Sequence, residues 1–207
     1  MSNHDLPRAA SRYTKGEGDA QARIAMALLL TLRGTPFMYY GEEIGMRNIA
    51  LRRSEILDPP GQKYWPIYKG RDGCRSPMQW DNGKNAGFSA AKPWLPVHPD
   101  YLQRNVAAQA ADPGSLFHFT KKLLGLRKAY PALQRGDYIS LETPPGTLAY
   151  LRTTTEQSAL VAINFKGRLA NFVLPQGQWH MLFSSNKDKT DAANALTPYE
   201  VRLLIHE

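Results

Sequence analysis

The stretch that decides the fold is Gly34–Gly45, with the sequence GTPFMYYGEEIG. Its centre, Phe37–Tyr40, is a run of large apolar and aromatic residues that is too short for an independent helix. Such a run between glycine and proline residues predicts a strand buried on both faces, as in a parallel sheet covered by helices. Glu42 and Glu43 follow, so polar chemistry begins where the strand ends. In a (β/α)8 barrel that end faces the active site, although a plain core strand with a charged turn explains the same residues.

A helix is predicted just before this stretch. Asp19 suits the N-cap of a helix from Ala20 to Arg33, and Gly34 suits the position after its end. The helix is apolar nearly all round, which predicts burial on more than one side. A helix followed by a buried strand is half of a βαβ unit. The strand that should precede the helix would end just before Asn3 and is missing from the chain.

A long segment without regular periodicity follows. Residues 46–112 are rich in proline, glycine and tryptophan. A loop of this length inside a compact domain is uncommon, and is usually functional or disordered. Aromatic side chains that need a surface on which to pack argue against disorder; they are Tyr64, Trp65, Tyr68, Trp80, Phe88 and Trp94. The segment is therefore predicted to be a structured active-site loop.

The last part of the chain changes its hydrophobic period. Asp112-Pro113 predicts a helix start, and Pro131 ends the helical pattern. Beyond Gly136 the period becomes two, and turn signals separate short strands. These strands are predicted at 138–141, 148–152, 160–164, 171–174, 179–183 and 201–205. The tail is interpreted as a small antiparallel β-sandwich whose boundary lies near Ala132–Gly136.

Composition argues against several classes of protein. The 207 residues carry a net charge of +8, but lysine and arginine are spread along the chain without a nucleic-acid motif. The charge is interpreted as a solvated surface, with no nucleic-acid partner. No apolar run is long enough for a membrane span, and the single cysteine, Cys74, allows no internal disulfide, which suits a cytoplasmic location. Neither a metal-ligand spacing nor a phosphate-binding glycine loop is present, so no metal and no cofactor are predicted.

Residues that can carry chemistry concentrate in three places. Asn3-His4-Asp5 stands at the expected strand end, with a side-chain-capped turn as the alternative. Glu42 and Glu43 are adjacent, and adjacent residues on an extended chain point in opposite directions, so they are not a matched acid/base pair. Residues 70–81, GRDGCRSPMQWD, place arginines and aspartates among glycines and aromatics. A fixed guanidinium beside carboxylates suits hydrogen bonding of hydroxyls or acids, and a structural Arg–Asp network that holds the loop is the alternative.

Together these motifs resemble the C-terminal part of the α-glucosidases of glycoside hydrolase family 13, the group that includes oligo-1,6-glucosidases. The matching stretches lie in the family's order within residues 2–97: SNHDLPR (2–8), SRY (11–13), GTPFMYYGEEIGM (34–46), GRDGCRSPMQWD (70–81), NAGF (85–88) and KPWLPV (92–97). The resemblance implies an α/β plus β fold, the C-terminal part of a (β/α)8 TIM barrel followed by the antiparallel β-sandwich. It implies that residues 3–5 end the seventh barrel strand and that Phe37–Tyr40 is the eighth. The implied domains are residues 1–132, which hold the barrel portion and loop 46–112, and residues 133–207.

The resemblance also implies roles for three residues. Asp5 matches the third family carboxylate, which binds ring hydroxyls and stabilises the transition state. His4 matches its neighbour, which donates to a hydroxyl of the same sugar, and Arg71 matches the residue that holds the far side of the terminal glucose. The implied ligand is an α-linked gluco-oligosaccharide. Retaining glycosidases pass through an oxocarbenium-like state, and hydrogen bonds to the 2-OH that tighten there contribute several kcal/mol.

One departure from the family decides the functional prediction. The family's nucleophile Asp and acid/base Glu follow earlier barrel strands, which this chain lacks. In relatives an apolar residue precedes the serine, and Met1 stands in its place, so the chain start is interpreted as a truncation. The chain is predicted to be the substrate-binding part of an α-glucosidase, inactive alone, with the missing N-terminal half of the barrel as its partner. A non-catalytic carbohydrate-binding or interaction module built from the same remnants is the alternative.

Overall fold

The computed structural model of the protein describes residues 2–14, 18–186 and 194–206. The chain packs into two compact units, one formed by Met1–Ala22 with Met38–His118 and the other by Arg23–Phe37 with Phe119–Glu207. The predicted domain division after residue 132 is not tested by this packing and stays a prediction. Met1, on which the interpretation of a truncated start rests, lies outside the described residues.

Six α-helices lie in the first two thirds of the described chain. Their bounds are Ala9–Tyr13 (α1), Ala20–Thr31 (α2), Pro59–Lys63 (α3), Val106–Ala111 (α4), Leu116–Ala129 (α5) and Pro131–Arg135 (α6). Helix α2 confirms the helix predicted before Gly34, whose φ of 114° is one that glycine adopts without strain. Its most buried apolar residues are at most 4% exposed: Ile24, Met26, Ala27 and Leu30.

The prediction of a buried strand at Phe37–Tyr40 is wrong for this chain. Residues 35–39 lie outside any helix or strand, and Phe37 is 80% exposed. A strand needs a neighbouring strand for its backbone hydrogen bonds, and every described strand belongs to antiparallel sheets formed later in the chain. Tyr40 instead donates from its hydroxyl to the Ser76 carbonyl at 2.6 Å, so the run helps to hold the following loop.

The loop 46–112 is built from short helical turns. Besides α3 and α4 it contains 3₁₀ turns at Arg53–Glu55, Asp72–Cys74, Lys84–Gly87 and Pro99–Leu102. This agrees with the predicted structured loop, but the expectation that its aromatics are packed is wrong for most of them. Exposures between 42% and 58% are found for Tyr64, Tyr68, Trp80, Phe88 and Trp94. Polar contacts order the loop instead; for example, Asn85 Nδ2 donates to the carbonyls of Ser89 at 2.8 Å and Ala91 at 2.9 Å.

Helix α5 begins at Leu116 and not at the predicted Pro113. The reason is Ser115, whose Oγ accepts a hydrogen bond from the His118 backbone nitrogen at 3.3 Å, as an N-cap residue does. Asp112 closes α4 instead, and its carbonyl accepts from the Ser115 nitrogen at 3.0 Å. The Asp-Pro signal therefore marks the turn between two helices.

A small apolar cluster forms the core of the first unit. Ile44, Met46 and Met78 are buried there, and Val106 and Phe117 pack against them. The cluster joins the residues just after Gly41 to both ends of the long loop. The two ends of the loop therefore lie beside the segment that follows Tyr40.

Glu42 fixes the N-terminal segment of the first unit. It is 8% exposed and accepts hydrogen bonds from the backbone nitrogens of Ser2 and Tyr39, both at 3.0 Å. Gly41 before it has a φ of 82°, and a Cβ there would lie 3.0 Å from Arg8 Nη1. Both the conformation and the lack of space require glycine at this turn.

The second unit contains all the described strands. Their bounds are Asp137–Leu141 (β1), Thr147–Thr153 (β2), Ser158–Asn164 (β3), Ala170–Asn171 (β4), His180–Ser184 (β5), Ala195–Leu196 (β6) and Val201–His206 (β7). Five of them form an antiparallel sheet in the order β1-β2-β3-β7-β5, and β4 pairs with β6. Each predicted strand overlaps an observed one, whereas β6 was not predicted. The interpretation of this tail as a β-sandwich domain stays a prediction.

The core of the second unit combines apolar packing with buried charge. Its apolar cluster consists of Ala149, Leu160, Ala162, Phe172, Leu196 and Leu204. Arg152 is fully buried and donates to the Thr31 carbonyl at 2.6 Å and the Gly136 carbonyl at 2.8 Å. Glu200 and Arg202 form an ion pair, with Oε1 and Nε 2.8 Å apart. Each buried guanidinium therefore has acceptors within its own unit.

Candidate functional site

Asp5 lies at the centre of a cluster of charged side chains in the first unit. Its Oδ1 lies 3.1 Å from Arg71 Nη1 and 3.3 Å from Arg75 Nη2, and its Oδ2 lies 3.2 Å from His4 Nε2. The side chains of His4 and Asp5 are 69% and 47% exposed, so the cluster is open to solvent. The structure thus brings together His4, Asp5 and Arg71, the residues predicted from the sequence, and adds Arg75 to them.

The segment that carries His4 and Asp5 is a turn held by side chains. Asn3 Oδ1 accepts hydrogen bonds from the backbone nitrogens of Asp5 at 2.8 Å and Leu6 at 2.9 Å. This is the side-chain-capped turn that was the alternative to a strand end. Arg75 Nε also donates to the His4 carbonyl at 2.8 Å. These contacts orient the Asp5 carboxylate toward the arginines of the long loop.

Asp58 also belongs to the cluster, although no sequence motif pointed to it. Its side chain is 1% exposed, and its carboxylate accepts from Arg71 Nη2 at 2.6 Å, from Nε at 3.2 Å and from the Arg71 backbone nitrogen at 3.0 Å. The Arg71 guanidinium therefore bridges a buried carboxylate, Asp58, and an open one, Asp5. In the sequence Asp58 precedes Pro59-Pro60, a turn signal that gives no indication of an ion pair with a residue 13 positions later.

Asp72 fixes the backbone at Asp58. Its Oδ2 accepts from the backbone nitrogens of Leu57 and Asp58, both at 2.7 Å, and its side chain is 1% exposed. Arg75 Nη1 lies 3.8 Å from Asp72 Oδ1. The structural Arg–Asp network considered for residues 70–81 is thus present, and it is continuous with the candidate site.

The arginines control the charge of this cluster. Hydrogen bonds from Arg71 lower the pKa of Asp58 below its usual range, although burial acts in the opposite direction. The contacts of Arg71 with Asp58 and then with Asp5 raise the pKa of its guanidinium, which stays charged. With Asp72 included, three carboxylates face two guanidiniums. Counted by formal charge, the carboxylates of the cluster therefore exceed its guanidiniums by one.

This arrangement suits a ligand with neighbouring hydroxyl groups. A carboxylate accepts and a guanidinium donates hydrogen bonds in fixed directions. Of the three carboxylates, Asp58 and Asp72 are each 1% exposed and bonded to the protein, so Asp5 is the open one. An open carboxylate in a fixed position can stabilise positive charge that develops on a ligand.

The adjacent residues Glu42 and Glu43 make contacts other than those of the Asp5 cluster. Glu42 is bonded to the N-terminal segment through Ser2. Burial raises the pKa of Glu43, and its buried Oε2 has no hydrogen-bond partner within the described residues. The two side chains thus differ in environment, although they lie in a 3₁₀ turn, Glu42–Ile44, and not on the extended chain from which the prediction was argued.

Within residues 2–14, 18–186 and 194–206, no three or more histidine, cysteine or acidic side chains are placed together to hold a metal ion. None of the helices in these ranges has the length and apolar character to cross a membrane. Cys74 is buried, and burial raises the pKa of its thiol, which therefore stays protonated at neutral pH.

Comparison with known proteins finds a family and curated relatives. The family model of the α-amylase catalytic domain matches residues 1–136. A probable α-glucosidase of Rhizobium meliloti (strain 1021) is 40% identical over 177 residues, which cover 84% of this chain and 32% of that protein. An oligo-1,6-glucosidase of Parageobacillus thermoglucosidasius is 37% identical, over 98% of this chain and 41% of that protein. The chain thus spans about a third to two fifths of the length of these relatives.

Solved structures share the fold of the chain. The trehalulose synthase MutB of Pseudomonas mesoacidophila MX-45 is 32% identical, with a TM-score of 0.87 over 100% of this chain and 42% of that chain. A MutB mutant in complex with glucose is also 32% identical, with a TM-score of 0.86 and the same coverage. The α-glucosyl transfer enzyme XgtA is 32% identical, with a TM-score of 0.90 over 100% of this chain and 39% of that chain. The described fold is therefore that of a part of these larger enzymes.

Proposed function

This chain belongs to the α-amylase catalytic-domain family, glycoside hydrolase family 13, and on this premise we propose that it carries the sugar-binding part of an α-glucosidase. In retaining glycosidases an oxocarbenium-like positive charge develops on the sugar ring. An ionised Asp5 beside that ring interacts more strongly as the charge grows, whereas a neutral amide gains much less. Asp5 is therefore proposed as the residue that stabilises the transition state.

His4 and Arg71 are proposed as substrate-binding residues. They lie 3.2 Å and 3.1 Å from the two oxygens of Asp5, and both are partly exposed, so they can donate to hydroxyls of the sugar that Asp5 binds. The convergence of these three side chains is the observation that carries the proposal. The proposed ligand is an α-linked gluco-oligosaccharide, in keeping with the names of the α-glucosidase and oligo-1,6-glucosidase relatives.

The bond-breaking carboxyls are proposed to come from another stretch of polypeptide. Retention needs a nucleophile and an acid/base carboxyl about 5 Å apart at the scissile bond. Asp58 and Asp72 are buried and bonded to the protein, which leaves Asp5 without an open partner in its cluster. We therefore expect the chain by itself to bind sugar without hydrolysing α-glucosides, and to work with the N-terminal half of a barrel as its partner.

Titration calorimetry with glucose, maltose and isomaltose tests the binding role. The wild-type chain is expected to bind at least one of these sugars, and Asp5→Ala or Arg71→Ala to weaken that binding at least about tenfold. Glu142→Ala, at an exposed carboxylate of the second unit, is the control and should bind as the wild type does. Absence of binding by the wild type, or equal binding by wild type and Asp5→Ala, contradicts the proposal.

Hydrolysis is tested separately with nitrophenyl α-glucoside. The purified chain is expected to be inactive, and coexpression with the N-terminal half of a related α-glucosidase is expected to restore turnover. Turnover by the purified chain alone contradicts the proposed division of roles. Sugar binding without any restored turnover favours a non-catalytic carbohydrate-binding module instead.

A further inference from the structure

Three of the four nitrogen atoms of Arg71 donate to Asp58. Its backbone nitrogen, Nε and Nη2 donate to that carboxylate at 3.0, 3.2 and 2.6 Å, whereas Nη1 donates to Asp5 at 3.1 Å. We propose that Asp58 is a positioning residue, which orients the Arg71 guanidinium so that Nη1 faces Asp5 and the sugar bound there. This inference rests on the proposed function and deepens it, because it assigns a role at that site to a residue that does not touch the sugar.

Asp58 can orient Arg71 because its own position is fixed. The Asp58 side chain is 1% exposed, and its backbone nitrogen donates to Asp72 Oδ2 at 2.7 Å. Gly70, immediately before Arg71, has a φ of 77°, and a Cβ there would lie 2.8 Å from Asp58 Oδ2. The carboxylate thus lies directly against the turn that leads into Arg71 and is enclosed away from solvent.

The orientation matters because Arg71 meets Asp58 through one edge of its guanidinium, which makes two contacts with the carboxylate. That edge, formed by Nε and Nη2, is used on Asp58 and fixes the plane of the guanidinium. Nη1 carries two protons, and its bond to Asp5 uses one, so the second is left for a sugar hydroxyl. Without the Asp58 charge, the same edge of Arg71 is free to turn toward Asp5 and to occupy both oxygens of the carboxylate that should bind the sugar.

Asp58 also sets the charge beside the sugar. Three carboxylates face two guanidiniums in the cluster, and Asp58 supplies one of the negative charges. Neutralising it leaves the cluster without its excess negative charge. A ring that becomes positive in the transition state is then stabilised less.

A double-mutant cycle in glucose binding tests whether Asp58 acts through Arg71. Asp58→Asn keeps the size of the side chain and removes its charge, and is expected to weaken binding about tenfold. Arg71→Ala is expected to weaken it at least as much. The variant with both changes should bind as Arg71→Ala does, because no guanidinium is left for Asp58 to orient. The inference is overturned if Asp58→Asn binds glucose as tightly as the wild type does. It is also overturned if the loss of affinity in the double variant equals the product of the losses in the two single variants.

Nitrogen-15 NMR follows the Arg71 guanidinium directly. The Nε–H signal, identified by its loss in Arg71→Ala, is expected to shift and to exchange faster with water in Asp58→Asn. Asp112→Asn is the matched control, since it makes the same change in the same unit, at a carboxylate that accepts from the Gly114 nitrogen at 2.8 Å. It should leave both the signal and glucose binding unchanged. An Nε–H signal that is unaltered in Asp58→Asn contradicts the proposed orientation.

If circular dichroism shows that Asp58→Asn does not fold, Arg71→Lys tests the inference instead. Lysine retains the charge but lacks the planar edge that Asp58 orients, so Arg71→Lys is expected to bind glucose as weakly as Arg71→Ala. Wild-type affinity in Arg71→Lys counts against the inference. If wild type and Asp5→Ala bind alike, the proposed function fails and this inference fails with it. If Asp5→Ala loses binding and Asp58→Asn does not, only this inference fails.

Discussion

Two arginine–carboxylate pairs in this protein have similar contact distances and different surroundings. In the second unit, Arg202 Nε lies 2.8 Å from Glu200 Oε1, and the two side chains are 2% and 1% exposed. In the first unit, Arg71 Nη2 lies 2.6 Å from Asp58 Oδ1, but the Arg71 side chain is 35% exposed. The first of these pairs is closed to solvent on both sides, whereas the second combines a buried anion with an open cation.

The closed pair is bonded to the protein alone. Glu200 also accepts from the Thr197 backbone nitrogen at 2.8 Å and from Ser184 Oγ at 2.9 Å. Arg202 Nη2 donates to the Ala195 carbonyl at 2.8 Å. These contacts link β5, β6 and β7, so the pair stabilises the arrangement of strands around it. Burial of both partners is what distinguishes this structural pair.

In the open pair, one nitrogen of Arg71, Nη1, contacts a carboxylate other than Asp58. Asp58 is enclosed and holds one edge of Arg71, while Nη1 reaches the exposed Asp5. The two pairs thus differ in the exposure of the arginine, and the Arg71 guanidinium, held by the buried Asp58, keeps a contact with the exposed Asp5. Mutations should therefore affect stability most at the closed pair and sugar binding most at the open pair.

The closed pair should show the largest effect on stability. Glu200→Ala leaves Arg202 buried without its counter-ion, and removal of one partner of a buried pair costs about 3–5 kcal/mol of unfolding free energy. Urea unfolding followed by circular dichroism measures this loss. Glu156→Ala, at an exposed carboxylate, is the control and should change the unfolding free energy by no more than about 0.5 kcal/mol. Equal effects of the two substitutions would show that the Glu200 pair does not stabilise the fold.

Gly70→Ala should have a smaller effect on stability and a clear effect on binding. The residue has a φ of 77°, and the new Cβ would lie 2.8 Å from Asp58 Oδ2. Such backbone strain costs about 1–3 kcal/mol, and displacement of the carboxylate should weaken glucose binding. Urea unfolding and titration calorimetry measure the two effects.

Gly125→Ala is the control for that substitution. Gly125 lies in helix α5, and an added Cβ there would meet nothing within 4 Å. Alanine in a helix interior is favoured over glycine by about 0.5–1 kcal/mol, so this variant should gain stability and bind glucose normally. A Gly70→Ala variant that retains wild-type glucose affinity would argue against the enclosure of Asp58 described above.

The smallest effect is expected from acid pH at the open pair. Hydrogen bonds from Arg71 lower the pKa of Asp58 in the folded protein, although burial opposes them. The stability that this carboxylate contributes is therefore fully present above the ordinary aspartate pKa of about 3.9, and is lost as pH falls through the lower folded value. The difference in unfolding free energy between wild type and Asp58→Asn should be constant near neutral pH and shrink below about pH 4. Urea unfolding at a series of pH values measures it, and a difference that stays constant into acid contradicts the assignment.

The sequence predicted the second unit better than the first. Strands β1, β2 and β3 follow a period of two between turn residues, and this local pattern is sufficient to locate them. Phe37–Tyr40 has the composition of a buried strand, but a short apolar run becomes one only where a neighbouring strand supplies its hydrogen bonds. That requirement is not encoded in the run itself. The aromatics of the long loop were misjudged for a similar reason, because side-chain bonds such as those of Asn85 order the loop without burying them.

By itself, the sequence determined the family of the protein, and it singled out His4, Asp5 and Arg71 as the predicted site residues, because each lies in a contiguous motif. Only the tertiary structure decided that Asp58 completes the cluster and that Arg75 contacts Asp5. The physical reason is the sequence separation of the residues that interact. Helix, strand and motif signals arise from interactions among residues a few positions apart, whereas the Asp58–Arg71 pair joins residues 13 positions apart across a loop without periodicity. The path of that loop, set by backbone turns and side-chain bonds, determines which charges meet.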